Sequence, residues 1–274
     1  MKRLLILPII VLFTIAFVQT SNANVLIEDA RINSDFDGGG LTSGFIDSGS
    51  GRGGEYELIT CGIDTDGPNP FNAPSPGSWN EIDNSTCFQP NCQLGIWGRF
   101  TASQSSEEIT CSWGDDSLGF VAASIRYSSV DTDNPIIDIG CSEPDGNNII
   151  VPAVSSEPGA QLATIQLLRT PGDSPSDADI MFDEFSATFI ERVNLGNDRI
   201  LTMLGTSNFD ENGEGFPGIV LPIPTDIFAA KICVLTLRMQ PAAIPTMSEW
   251  GLISFAAFAG IAGFWFMRRR QVTA

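Results

Sequence analysis

Between two apolar ends, this chain has no stretch with a sustained helical period. It has short runs of alternating polarity, punctuated by Gly, Pro, Asn and Asp. Side chains on a strand alternate between faces, so segments patterned this way bury an apolar face as sheet. The predicted strands are residues 25–32, 55–63, 94–101, 107–113, 119–127, 161–169, 180–193, 199–204 and 231–239. In the last of these, Ile232, Val234, Thr236 and Arg238 oppose Cys233, Leu235, Leu237 and Met239. Residues 180–193 shift phase near Phe182, as a bulge or a break would. Residues 37–54 are the most glycine-dense connection, and 64–77 contain four prolines. Residues 171–179 and 208–218 are also rich in turn formers. Many strands joined by polar turns predict an all-β chain, a β-sandwich of jelly-roll type.

The two ends follow a different logic. Lys2 and Arg3 precede a nearly unbroken apolar stretch over 4–18, and Ser21 and Ala23 are small residues at −3 and −1. This is the order of a secretory signal, with cleavage after Ala23; an uncleaved anchor is the alternative. At the other end, residues 251–267 carry no charge and would span about 25 Å as a helix, slightly short of a ~30 Å hydrocarbon core. Trp250 and Trp265 stand near its ends, where amphipathic rings favour the interface. Thr246 and Glu249 have capping-box spacing, with Pro245 and Trp250 at the staple positions. Arg268, Arg269 and Arg270 stop the run, and the positive-inside rule puts them in the cytoplasm. An ordinary single-span anchor is the simpler reading of these residues. Three consecutive arginines argue against a buried core helix.

The segment Ile244, Pro245, Thr246, Met247, Ser248, Glu249, Trp250 and Gly251, followed by the apolar run and Arg268–Arg270, resembles the IPTL-CTERM sorting signal. That signal is a relative of the PEP-CTERM tails of Gram-negative bacteria. Met247 stands where the family name has Leu, a swap of similar volume between unbranched side chains. The resemblance implies a motif at 244–251, a transmembrane helix at 251–267 and a basic stop at 268–270. It implies an exosortase-type membrane protease as partner, a transient inner-membrane anchor, and delivery to the cell surface or matrix. Such tails accompany polysaccharide systems but are carried by unrelated ectodomains.

Residues 24–243 remain as the exported segment, 220 residues and enough for a substantial core. They form one domain, or two divided near 145–158. Five of the chain's 14 Lys+Arg and one of its 33 Asp+Glu lie in the ends, leaving 9 against 32, a net −23. This charge argues against nucleic acid and anionic lipid as partners and fits a solvated acidic surface. The chain has no histidine, which excludes Ser-His-Asp and Cys-His catalysis and His-ligated metals. The six cysteines, Cys61, Cys87, Cys92, Cys111, Cys141 and Cys233, all lie in the exported segment. An oxidising compartment makes up to three disulfides the expectation. Six cysteines allow fifteen pairings; the reading here is a local Cys87–Cys92 loop, with the others stapling strands.

Three chemistries fit the remaining pattern. Asp210, Asn212 and Glu214 place oxygens at positions one, three and five of an EF-hand-like loop with Gly215 at six, so calcium is the cofactor to consider. Position twelve is Leu221 rather than Glu, and Asp, Asn and Gly are also plain turn formers. Asp35, Asp37, Asp64 and Asp66 form shorter fragments of the same kind. Trp79, in a Pro/Gly-rich loop, is the glycan-stacking candidate; Trp97, Trp113, Tyr56 and Tyr127 are aromatic too, but Trp97 and Trp113 fit apolar strand patterns and read as core. A carboxylate pair could hydrolyse glycosides without histidine. Asp183 and Glu184 lie in an apolar strand, but as neighbours they face opposite ways and cannot act together. The expectation is a non-catalytic surface or matrix protein, structural, adhesive or glycan-binding, with extracellular polysaccharide as partner. The alternative is a secreted polysaccharide hydrolase.

Overall fold

The computed structural model describes residues 26–51, 53–87, 92–102, 106–145, 148–171, 187–196, 199–222, 229–240, 254 and 256–261. Asn22–Gln240 forms one compact unit; Met1–Ser21 and Pro241–Ala274 form another. Of the second unit only residues 254 and 256–261 are described, all helical. Ala23, the motif residues 244–251, Arg268–Arg270, and the carboxylates Asp183 and Glu184 lie outside the described residues.

The described strands of the larger unit are β1 (Leu26–Asp47), β2 (Tyr56–Asp64), β3 (Asn80–Thr86), β4 (Cys92–Phe100), β5 (Glu108–Ser128), β6 (Ile136–Cys141), β7 (Glu143–Asp145), β8 (Asn148–Val151), β9 (Ala160–Pro171), β10 (Ala187–Gly196), β11 (Arg199–Asp210), β12 (Ile219–Pro222) and β13 (Ala229–Leu237). They form three antiparallel sheets, ordered β1-β5-β2-β4-β3, β10-β11-β9-β13-β6 and β12-β8-β7. The all-β expectation is met.

Alternation decides which core each side chain enters. Tyr56 and Leu58 of β2, Leu94 and Ile96 of β4, and Val121, Ala123 and Ile125 of β5 face the second sheet. There they meet Ala163, Ile165, Leu167, Leu201, Met203, Leu235 and Leu237. The other face of the first sheet, with Ile59, Cys61, Ile63, Trp97 and Phe120, packs on Ile46, Ile109, Phe71 and Trp113. The other face of the second sheet, with Leu168, Ala230, Ile232 and Val234, packs on Ile149, Val151, Val154 and Phe216. Both main sheets are therefore inner layers, and β2 is buried along its whole length.

A folded ribbon creates the core outside the first sheet. Along β1 and β5, Ala30–Phe36 pair with Gly119–Ile125 and Ser43–Asp47 with Glu108–Ser112; the ladder is irregular between Phe36 and Ser43. Opposite this interruption Gly114, Asp115 and Asp116 are exposed. The ribbon doubles back there, so that Asn33 Nδ2 donates to Phe45 O at 2.6 Å. The disulfide Cys61–Cys111 ties the returning half to β2.

Several sequence expectations change. Residues 37–54 are not a loop throughout, because β1 regains its ladder and continues to Asp47. The runs 107–113 and 119–127 are one bent strand, β5. Strand β11 extends into the supposed turn as far as Asp210. Among the described residues the strands do not follow a jelly-roll order. Strands of a jelly roll alternate between two sheets, whereas here β1 to β5 build one sheet and five of the later strands build the next.

Two further disulfides join Cys87 to Cys92 and Cys141 to Cys233. Both ends of the β-unit leave at one pole. Leu26 pairs with Ser128, while Gln240 N donates to Ser129 O at 2.7 Å. Arg238 N donates to Pro135 O, and Asp131 N donates to Arg238 O, which fixes the chain beyond β13 to the same turn.

Candidate functional site

The outer face of the first sheet turns from apolar to ionic at one end. Ile59 lies opposite Trp97 and Ser124; two residues earlier, Glu57 lies opposite Arg99 on one side and Arg126 on the other. Strand register alone thus brackets a carboxylate with two guanidinium groups. Glu57 is 0% exposed and Arg126 1%. Arg99 Nε donates to Glu57 Oε2 at 3.1 Å, and Ser124 Oγ to Oε1 at 2.8 Å. Arg126 lies 3.7 Å from Glu57 and 3.8 Å from Glu55, and its Nη2 donates to Ser48 Oγ at 3.0 Å. Arg99 Nη2 also bonds Glu107 at 2.7 Å. Charges removed from water need such partners, since an unpaired buried ion is costly.

Trp79 closes the rim of this cluster. Its indole N–H donates to Pro76 O at 3.1 Å, and the Arg99 guanidinium lies 4.0 Å from the ring centroid. The half-buried ring also packs against the outer core, so one face is already occupied by a cation. Its neighbours Asn80 and Glu81 are exposed. Tyr56, Tyr127, Trp97 and Trp113 are all buried. Burial pushes the Tyr56 hydroxyl up to about 12.

In the loop over 210–215 the Asp210 carboxylate is taken up by backbone amides. Asp210 Oδ1 accepts the amides of Gly213 and Glu214, and Oδ2 accepts that of Gly215, at 2.8 to 3.2 Å. Asn212 and Glu214 are exposed. Burial pushes the Asp210 carboxyl up, but hydrogen bonds from Ser156 and these three amides together outweigh it and hold the group below its usual range. Asp138 is held low as well, chiefly by the Ser155 amide. Of the shorter acidic fragments, Asp64 forms a buried ion pair with Arg169 at 2.9 Å. Among the described residues, one group of three metal-ligating types lies together, Asp83, Cys141 and Cys233, and its cysteines are joined as a disulfide.

The ionic cluster went unnamed in the sequence analysis. Its signal was present: Glu55 and Glu57 interrupt the outward face of an apolar strand, and Arg99 and Arg126 end two others. Only the register shows that they meet.

The tail follows directly from the fixed end of the β-unit at Gln240. Among the described residues no helix is long and apolar enough to cross a membrane. Phe258 and Ile261, in its described helical part, are exposed. Searches of curated proteins and of solved structures each returned no match. The family model of the IPTL-CTERM motif matches residues 242–270, which identifies the end of this chain as a sorting signal and suggests an exported, surface-directed protein.

Proposed function

We propose that this chain is a non-catalytic surface or matrix protein whose disulfide-stapled β-unit has a structural or adhesive role and contacts extracellular polysaccharide. An exosortase-type protease would release it from the inner membrane. The observation that carries this reading is the IPTL-CTERM match at 242–270, immediately beyond a β-unit that ends at Gln240. The three disulfides support it, because such bonds persist in oxidising compartments. The ionic cluster supplies no inner carboxylate pair for hydrolysis. Its inner carboxylates, Glu55 and Glu57, are buried beneath arginines rather than presented to a sugar.

The test is a pull-down on envelope and extracellular polysaccharides, run beside an assay of reducing-sugar release. Binding without release is expected, with weaker retention for Trp79→Ala. Sugar release that a single Asp or Glu substitution abolishes would overturn the reading in favour of hydrolysis. Absence of retention on every polysaccharide would remove the glycan contact.

A further inference from the structure

The three disulfides differ in their access to solvent. Cys61 and Cys111 are both fully buried, and Cys87 and Cys92 are buried beside the inner core. Cys141 is half-buried and lies on β6, the outermost strand of its sheet. Its partner Cys233 sits directly opposite on β13 and is buried. One more group attends this bond. Asp83 of β3 brings Oδ2 to 4.0 Å from Cys233 Sγ. Ser85 Oγ lies 2.9 and 2.8 Å from the two oxygens of Asp83, donating its proton to the carboxylate and holding it in place. Among the described residues no ion pair involves Asp83. Among the described residues, a carboxylate that forms no ion pair is thus set against a disulfide.

We propose that Cys141 is a thiol-exchange site selective for small cationic aminothiols, with Asp83 as the residue that sets the selectivity. An incoming thiolate attacks Cys141 Sγ and forms a mixed disulfide. The Cys141–Cys233 bond breaks, its electron pair leaves on Cys233 Sγ, and that thiolate takes a proton from water. The incoming thiol is oxidised and Cys233 is reduced. Exchange depends on access and on how well the leaving sulfur carries negative charge. Asp83 opposes a thiolate at Cys233, 4.0 Å away, and an anionic reagent arriving at Cys141, whose Sγ lies within 4.8 Å of the carboxylate, because like charges this close repel away from bulk water. A protonated amine on the incoming thiol offsets that repulsion. The chain's net charge of −19 acts in the same direction at long range, but salt screens it beyond about 8–10 Å. Asp83 lies well inside that distance.

The experiment compares cysteamine, 2-mercaptoethanol and 2-mercaptoethanesulfonate at equal thiolate concentration and physiological salt. Adducts are located by mass spectrometry after the free thiols are alkylated. The expected first adduct is on Cys141, with alkylation on Cys233. Cysteamine should react fastest and the sulfonate slowest, with a spread of about tenfold or more given a charge this close. Asp83→Asn should compress that spread to within about threefold by removing the carboxylate charge, and Asp83→Glu should preserve it. An adduct forming first on Cys87, Cys92, Cys61 or Cys111 overturns the assignment of the site. A reagent ranking that Asp83→Asn leaves unchanged, with near-ultraviolet circular dichroism also unchanged, overturns the role of Asp83. The position of the first adduct on the wild-type protein decides the site even where a variant folds poorly.

Discussion

Glu57 shows how little freedom a buried charge has. It stands on a strand whose other outward residues are Ile59, Cys61 and Ile63, and it survives there because the register puts Arg99 and Arg126 beside it. Removing one partner of a buried ion pair typically costs about 3–5 kcal/mol. Arg126→Met should therefore lower unfolding free energy by roughly 3 kcal/mol or more in urea denaturation. Arg238→Met, which breaks a pair with Glu157 at the surface, should cost less than about 1 kcal/mol. Equal losses in the two variants would refute the distinction. Asp210 makes a prediction in pH. Hydrogen bonds from Ser156 and three amides hold its folded pKa low against the upward push of burial. A depressed folded pKa contributes stability that is present above the unfolded value, about 3.9, and lost as pH falls through the folded one. Asp210→Asn should therefore lower the melting temperature at pH 7, and the gap to wild type should close at acid pH below that range. A gap of the same size at both ends would contradict the assignment.

At the scale of elements, staples and close approaches set the limits. The disulfides close loops with sequence separations of 5, 50 and 92 residues. Loop-closure entropy ranks them at about 2, 4 and 4.5 kcal/mol. Replacing Cys87 and Cys92 together by Ala should thus be the mildest of the three double substitutions in calorimetry, and a reversed order would contradict the pairing. Gly62 lies where the two main sheets approach. A Cβ there would meet Leu167 Cδ1 at 2.5 Å and Met203 Cε at 3.0 Å. Gly62→Val should destabilise by about 1–3 kcal/mol through overpacking, read as a lower urea midpoint. The same scale explains what the sequence made legible. β2, β4, β9 and β13 were readable because runs of apolar residues fill two cores. β3 was missed because Asn80–Thr86 is polar and half-exposed at the edge of its sheet. β6, β7, β8 and β12 are short, and β8 lies within 145–158, the stretch weighed as an alternative domain divide. The bend in the β1–β5 ribbon looked like turns because its Gly and Asp residues are turn formers, and only the resumed ladder shows a strand on each side. The Asp210 loop was legible as a loop, but sequence could not show that its carboxylate turns inward onto amides.

For the molecule as a whole, address was the most readable property and activity the least. A sorting motif is a local sequence pattern, so the IPTL-CTERM segment could be read directly and its family model matches 242–270. The local Cys87–Cys92 pair was readable as well, but the ionic cluster, the three cores and the pairs Cys61–Cys111 and Cys141–Cys233 arise from residues far apart in the chain, which no local pattern reveals. The β-unit brings its two ends to one pole, at Leu26 beside Ser128 and Gln240 beside Ser129. The proposed role of the tail is that of a processing signal rather than a permanent anchor. Intact-mass and C-terminal peptide mass spectrometry of the surface-released protein tests this directly. The predicted result is a new C-terminus within residues 244–251; a surface form still carrying Arg268, Arg269 and Arg270 would contradict it.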